Sequence, residues 1–244
     1  MAKAFKIGDQ PLTISIIGKI IKEDISIALS EGVKKKIKDC RNYLDKKMRT
    51  SSEPIYGINT GFGSLCNHKV SAEDLENLQR NLVLCHACGT GDKVPDEIVK
   101  IMLLLKVQSL AYGHSGVQLE TVEFLVEMFN KDILPVVFQQ GSLGASGDLS
   151  PLAHLSLPLL GEGRVVVDGK EVATRSIMGI NNWKAIELQS KEGLALLNGT
   201  QFMSAYGVWI LLKAQKLSYM ADMIGAISLE AFDGRTECFD ELIH

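Results

Sequence analysis

The sequence has no surplus of either charge. Its 26 lysines and arginines are balanced by 29 aspartates and glutamates, leaving a formal charge of −3 at pH 7. Nothing in that balance favours nucleic acid, and Lys34-Lys35-Lys36 reads as the solvated face of a helix. A disulfide framework is lacking as well, because the five cysteines are odd in number and irregularly spaced, which suits a reducing compartment. A signal-peptide core is not evident near the start, where Ile14 to Ile17 is short and interrupted by Ser15. Cytoplasmic localisation is therefore expected. Tandem repeats and low-complexity stretches are not found either. One uncharged run, Gly193 to Leu212, is long enough for a bilayer, but it holds Asn198, Thr200, Gln201, Ser204 and three glycines. Those groups are costly in lipid, so a buried core helix is expected and no membrane partner.

What is present is enough apolar material for a sizeable core, 46% hydrophobic against 23% charged over 244 residues. Residues 1–24 read as short strands and turns around Gly8 and Gly18. Apolar residues at helical spacing (Ile25, Ile27, Ala28, Val33, Ile37) predict a helix to about Met48, stopped by Ser51-Ser52-Glu53-Pro54. The glycine-rich stretch Ile55 to Ser64 is too irregular for helix or strand and reads as a mobile loop. Its Gly61-Phe62-Gly63 is no dinucleotide fingerprint, since Cys66 stands where a third glycine is needed. Ser71 to Asp74 opens a helix running through Leu75, Leu78 and Leu82 to Gly89. On that helix, Cys85-His86-Ala87-Cys88 has no second cysteine pair for zinc and lies at a helix end, where a redox motif is not expected, so no metal is expected. The helix Asp96 to Gly113 is apolar on all faces from Ile101 to Leu105, which places it centrally in a bundle. Val117 to Asn130 is amphipathic, Arg164 to Val172 is a hairpin turning at Asp168-Gly169, and Glu192 to about Phe232 is largely helical.

The stretch with the most chemistry is Gly141 to His154, GSLGASGDLSPLAH. If the backbone bends until the Gly147 amide nitrogen meets the Ala145 carbonyl carbon, a five-membered ring can close. Gly147 brings the least hindered nitrogen and the freest dihedrals, Ala145 crowds the carbonyl least, and Ser146 can lose its hydroxyl. Two dehydrations leave a 4-methylidene-imidazol-5-one, an electrophile that no encoded side chain provides. Ser150 reads as an N-cap and Pro151 as the first residue of a helix through His154 to Leu160, with its positive end toward the ring. A serine-hydrolase elbow is excluded because G-x-S-x-G would need glycine where Asp148 stands.

The run from Gly141 to His154, together with the loop from Ile55 to Ser64, resembles the aromatic amino acid ammonia-lyases, most closely those acting on histidine. The resemblance implies a mainly α, ammonia-lyase/aspartase-fumarase-like helical fold with a small mixed N-terminal region, cut off within the central helical bundle. It divides the chain into a mixed α/β region, 1–113, with a lid loop at 55–68, and the cofactor loop with the start of the bundle, 114–244. By the same resemblance Ala145, Ser146 and Gly147 form the methylidene-imidazolone, Tyr56 on the lid acts in proton transfer or orientation, and Asn198 hydrogen-bonds near the ring or the substrate carboxylate. Gly63, His86 and Leu149 would bind substrate. The activity implied is elimination of ammonia from histidine to give urocanate. Alternatives are an inactive truncated or split half of such a lyase, a tyrosine ammonia-lyase and an aminomutase. The partners implied are an amino acid substrate and either a homotetramer or a separately encoded C-terminal half, since the likeness covers only the family's amino-terminal half. Two positions depart from the family pattern, Gln108 for asparagine and Phe138 for proline.

Overall fold

The computed structural model describes residues 4–50, 53–71, 74–143 and 147–243. In chain order these form β1 (Phe5–Ile7), α1 (Ile14–Lys22), β2 (Ile27–Leu29), α2 (Glu31–Thr50), α3 (Leu75–His86), β3 (Thr90–Lys93), α4 (Asp96–Ala111), α5 (Leu119–Asn130), β4 (Leu134–Pro135), β5 (Phe138–Gln140), α6 (Leu149–Ser156), β6 (Arg164–Val167), β7 (Lys170–Ala173), α7 (Thr174–Met178), α8 (Glu192–Leu197) and α9 (Gln201–Ala231). The fold is mainly α, as expected. Strands are short and form a parallel β1–β2 pair, an antiparallel β3–β5 pair and a β4–β6–β7 sheet. The residues group into two compact units, Met1–Tyr206 and Gly207–His244.

In the first unit α4 is central, packed against α1, α2, α5 and β4. Ile101 through Leu104, Val107 and Leu110 are buried on all sides of it, which explains the absence of a polar face in its sequence. The β6–β7 hairpin turns where predicted, with both Asp168 (φ 50°) and Gly169 (φ 72°) left-handed.

Three sequence expectations are corrected. Residues 14–22 are helical, because the Thr13 hydroxyl accepts the Ile16 N–H at 3.3 Å and starts α1. The helix expected from Ile25 is a strand and then a helix: β2 pairs with β1, and α2 begins only after Ser30, whose hydroxyl accepts the Val33 N–H. The long helix expected from Glu192 is broken at Asn198, which is extended (φ −86°, ψ 144°), and at Gly199 (φ +128°).

Three buried charges tie these elements together. Arg41 of α2 donates to the carbonyls of Gly116 (2.7 Å) and Ser190 (3.0 Å) and pairs with Asp45. Glu192, fully buried at the start of α8, accepts from the Gln118 N–H (2.8 Å), the Gln118 side-chain amide (2.7 Å), the Thr121 hydroxyl (2.7 Å) and the Gln189 N–H (2.7 Å). Lys106 of α4 is 1% exposed and donates to the carbonyls of Ala195 (2.8 Å) and Asn198 (3.0 Å). Burial pushes its ammonium down to about 7.

The second unit consists of the remainder of α9 and a 3-10 turn, Glu237–Phe239. Ile210, Leu217, Met223, Ile224 and Ile227 are exposed along its helix.

Replacing Glu192 by alanine leaves the buried Thr121 hydroxyl and the part-buried Gln118 and Gln189 N–H groups without their acceptor. The variant is expected to lose at least about 3 kcal/mol of unfolding free energy in urea titration. A loss under about 1 kcal/mol would show that water replaces the carboxylate without difficulty.

Candidate functional site

The break between α8 and α9 lies directly against Gly147. Gly147 pairs with Gly199 in an isolated parallel bridge, and the Asp148 N–H donates to the Gly199 carbonyl at 2.9 Å. The buried Asp148 side chain completes the attachment, with one oxygen accepting the Met203 N–H at 3.0 Å and the other the Ser142 hydroxyl at 2.9 Å. Gly147 has φ +86°, and a Cβ there would overlap the Gly199 carbonyl oxygen. Only glycine satisfies both conditions. Ala145 and Ser146, the other two predicted ring-forming residues, lie outside the described residues. Ser150 is not the N-cap expected of it. The helix starts at Leu149 with Asp148 in the cap position, and the Ser150 hydroxyl is buried without a hydrogen-bond partner. The α-helix ends at Ser156, and Leu157–Leu160 continues as a 3-10 turn closed by left-handed Gly161.

His86 and Leu149 share one pocket of about 240 Å³, together with Cys85, Cys88, Leu143 and Ser150. The His86 Nδ1 lies 2.8 Å from the Leu82 carbonyl oxygen. A carbonyl only accepts, so Nδ1 carries the proton and a neutral ring keeps Nε2 as its acceptor. The segment after α3 is joined to α6 by the Gly89 N–H, which donates to His154 Nε2 at 3.0 Å. Phe138, one of the two departures, packs edge-on to the His154 ring with centroids 5.1 Å apart. The other, Gln108, has a buried side-chain oxygen without a partner.

The loop after Pro54 is folded on itself. The Asn59 side chain accepts the Ile55 N–H at 2.6 Å and donates to the Glu53 carbonyl at 2.9 Å, while Gly57 (φ 71°) lies where a Cβ would strike the Leu194 side chain of α8. The Tyr56 ring is exposed and meets Phe62 edge-on, and Gly63 has open space around it. Neither lines the His86 pocket. Asn198 is at the end of α8 rather than inside a long helix, and its side-chain amide donates to the Leu194 carbonyl at 2.9 Å. Through Gly199 it neighbours Gly147. Thus the structure groups His86 with Leu149, and Gly147 with Asn198.

Gly199, Glu192 and Lys106 were not singled out from sequence. The signals existed: Asn198-Gly199 is a turn dipeptide inside an apolar run, and Lys106 directly follows the all-apolar run Ile101 to Leu105 of a central helix. Among the described residues no group of three or more His, Cys, Asp or Glu is placed to hold a metal ion, and no helix is long and apolar enough to cross a membrane.

A family model described as aromatic amino acid lyase matches residues 12–244. The chain belongs to the aromatic amino acid lyase family. It is 44% identical over 233 residues to a histidine ammonia-lyase of Shouchella clausii (strain KSM-K16), a match covering 96% of this chain and 46% of that protein. Among solved structures, histidine ammonia-lyase from Trypanosoma cruzi superposes with a TM-score of 0.89 at 34% identity, over 99% of this chain and 47% of that one. A tyrosine aminomutase from Streptomyces globisporus superposes at 0.86 with 29% identity, over 94% and 43%. The chain therefore spans about half the length of the curated relatives it matches.

Burial lowers the His154 pKa below the usual histidine value of 6.5. A lowered folded pKa means the unfolded chain binds more protons, so this stability is present above pH 6.5 and is lost as pH falls through the folded pKa. Urea unfolding is expected to show a decline below pH 6.5, no steeper than about 1.4 kcal/mol per pH unit, that His154→Gln removes. Identical pH dependence in parent and variant would rule out His154 as its source.

Proposed function

We propose that the full protein eliminates ammonia from histidine to give urocanate, using a methylidene-imidazolone that Ala145-Ser146-Gly147 forms by itself. The observation that carries the reading is Gly147. Its left-handed backbone and contact with Gly199 leave no room for a Cβ, so the position takes glycine, the residue whose amide nitrogen is least hindered for the proposed ring closure. Once formed, the group supplies an electrophile that makes the substrate amine a better leaving group.

The chain's own residues then have separable tasks. His86 faces its pocket with Nε2 as an acceptor, because Nδ1 is held by Leu82, and so receives an N–H or O–H from the ring of the substrate. Leu149 supplies an apolar wall beside it, and Gly63 leaves space in the lid for the substrate. Tyr56, exposed on the lid, moves or orients a proton. Asn198 holds the substrate carboxylate or the ring by hydrogen bonding. The enzyme works in the cytoplasm as a homotetramer, with the exposed apolar side chains of residues 207–243 covered by association.

A second reading has a specific observation behind it. Matched relatives extend about as far again as this chain, and the family's second tyrosine and carboxylate-binding arginine belong to that further length. On this reading residues 1–244 form an inactive half until the remainder is supplied, on the same chain or a separate one. The aminomutase likeness keeps tyrosine, and migration of the amine, as the competing chemistry.

Intact mass spectrometry of the purified protein is expected to give a chain lighter by two waters, and Ser146→Ala to give the unmodified mass with activity abolished. An unmodified mass in an active preparation would refute the self-formed group. For substrate choice, histidine or tyrosine is expected to exceed phenylalanine in kcat/KM, because an imidazole covered by a bare ring loses about 1–3 kcal/mol. His86→Phe should bring phenylalanine up relative to both. An unchanged ranking would remove His86 from the specificity argument.

A further inference from the structure

The geometry points to Lys106 as the positioning residue for the Asn198-Gly199 turn, and through that turn for Gly147. It lies on α4, away from the pocket, and none of the roles above uses it. Its ammonium reaches the C-terminal end of α8 and donates to two carbonyls, Ala195 at 2.8 Å and Asn198 at 3.0 Å. The last carbonyls of a helix have no partners within it and carry partial negative charge. An ammonium there satisfies both oxygens at once and fixes the direction in which the chain leaves the helix.

The path from that ammonium to the cyclising loop is short. The Asn198 carbonyl belongs to the peptide that begins Gly199, and the Gly199 carbonyl accepts the Asp148 N–H at 2.9 Å. From Lys106 to the residue after Gly147 there are thus two hydrogen bonds and one intervening residue. The Asn198 side chain is held as well, by its bond to the Leu194 carbonyl. With Gly199 at φ +128°, a conformation flexible for glycine, the turn has little stiffness of its own. Lys106 supplies it from a rigid, buried helix.

Burying this amine carries a cost. Its hydrogen bonds go to backbone carbonyls rather than to a carboxylate, and burial depresses its pKa. An apolar side chain of the same length would fill the space with less desolvation but would leave two part-buried carbonyls unpaired and the turn free.

The structural part stands on the hydrogen bonds alone, while its consequence for ring closure rests on the function proposed above. The test is therefore read in two ways. Hydrogen exchange of the Asp148 amide, protected by Gly199, is followed in the parent protein, in Lys106→Met, in Lys106→Arg, and in Leu103→Ala as a control buried on the same helix. Lys106→Met is expected to raise exchange at Asp148 by about tenfold beyond a control with equal loss of Tm, and Lys106→Arg, which keeps paired donors, to restore protection. Intact mass should show the two-water loss diminished in Lys106→Met and kept in Lys106→Arg. Should the methionine variant not fold, Lys106→Gln, which has a donor but cannot span both carbonyls, takes its place with the same expected direction. Unchanged protection at Asp148, an equal change in the Leu103 control, or no restoration by arginine would overturn the proposal. A parent protein without the two-water loss would defeat the proposed function instead, leaving the exchange measurement to decide the role of Lys106.

Discussion

A helix of six residues does not sustain itself, because nucleation fixes several residues for the sake of one or two hydrogen bonds. Yet α8 has only six, and the site is built around it. It is held from outside by a buried charge at either end. Glu192 lies at its first turn, where a carboxylate is favoured by the helix dipole, and collects four donors from the start of α5 and the preceding loop. Lys106 lies at the opposite end, where a cation is favoured. The two charges have the signs the dipole calls for, one carried by the first residue of α8 and the other reaching it from α4.

Once α8 is fixed, its surface organises segments distant in sequence. The Gly193 N–H donates to the Gln79 side-chain oxygen at 2.9 Å, which binds α3, the helix that ends in His86. A Cβ on Gly193 would press into the Gln79 backbone, so the close approach of the two helices depends on glycine. Leu194 lies against Gly57 at the base of the Tyr56 loop. At the C-terminal end, Gly199 receives Gly147 and Asp148. The Tyr56 loop, the helix ending in His86, and Gly147 are therefore referenced to one six-residue helix, although they are far apart in the sequence. Their relative placement is only as exact as the anchoring of that helix.

The sequence was legible where local pattern and tertiary role agree. The all-apolar run in α4 announced a central helix because complete burial removes the need for a polar face. Asp168-Gly169 announced a hairpin because two left-handed residues are what its turn requires. The α8–α9 break was missed because the stretch from Gly193 to Leu212 is uncharged throughout, and periodicity cannot locate a boundary in a segment that is apolar on either side of it. Ser150-Pro151 looked like a cap and a first turn, but Asp148 is drawn to Gly199 and Met203, and the helix starts earlier as a result. The candidate site was legible mainly through the family likeness of Gly141 to His154. His86 carried chemical meaning by itself, but its usable nitrogen depends on the Leu82 carbonyl one helical turn back, which becomes visible only in three dimensions.

Lys106 and Glu192 share a property that bears on why the fold keeps them. Buried charged groups often contribute less to stability than well-packed apolar residues of the same volume would. Stability alone therefore does not account for an ammonium and a carboxylate at the two ends of one helix. Position does. An apolar contact is tolerant of sliding by a fraction of an ångström, whereas an ammonium shared between two carbonyls, or a carboxylate shared among four donors, is satisfied in a narrow range of geometries. The ring closure proposed for Ala145-Ser146-Gly147 would need that kind of reference, because it depends on a separation much shorter than ordinary packing provides. The cost of burying the charges lies on stability, and what they return is the fixed location of Gly199 against Gly147.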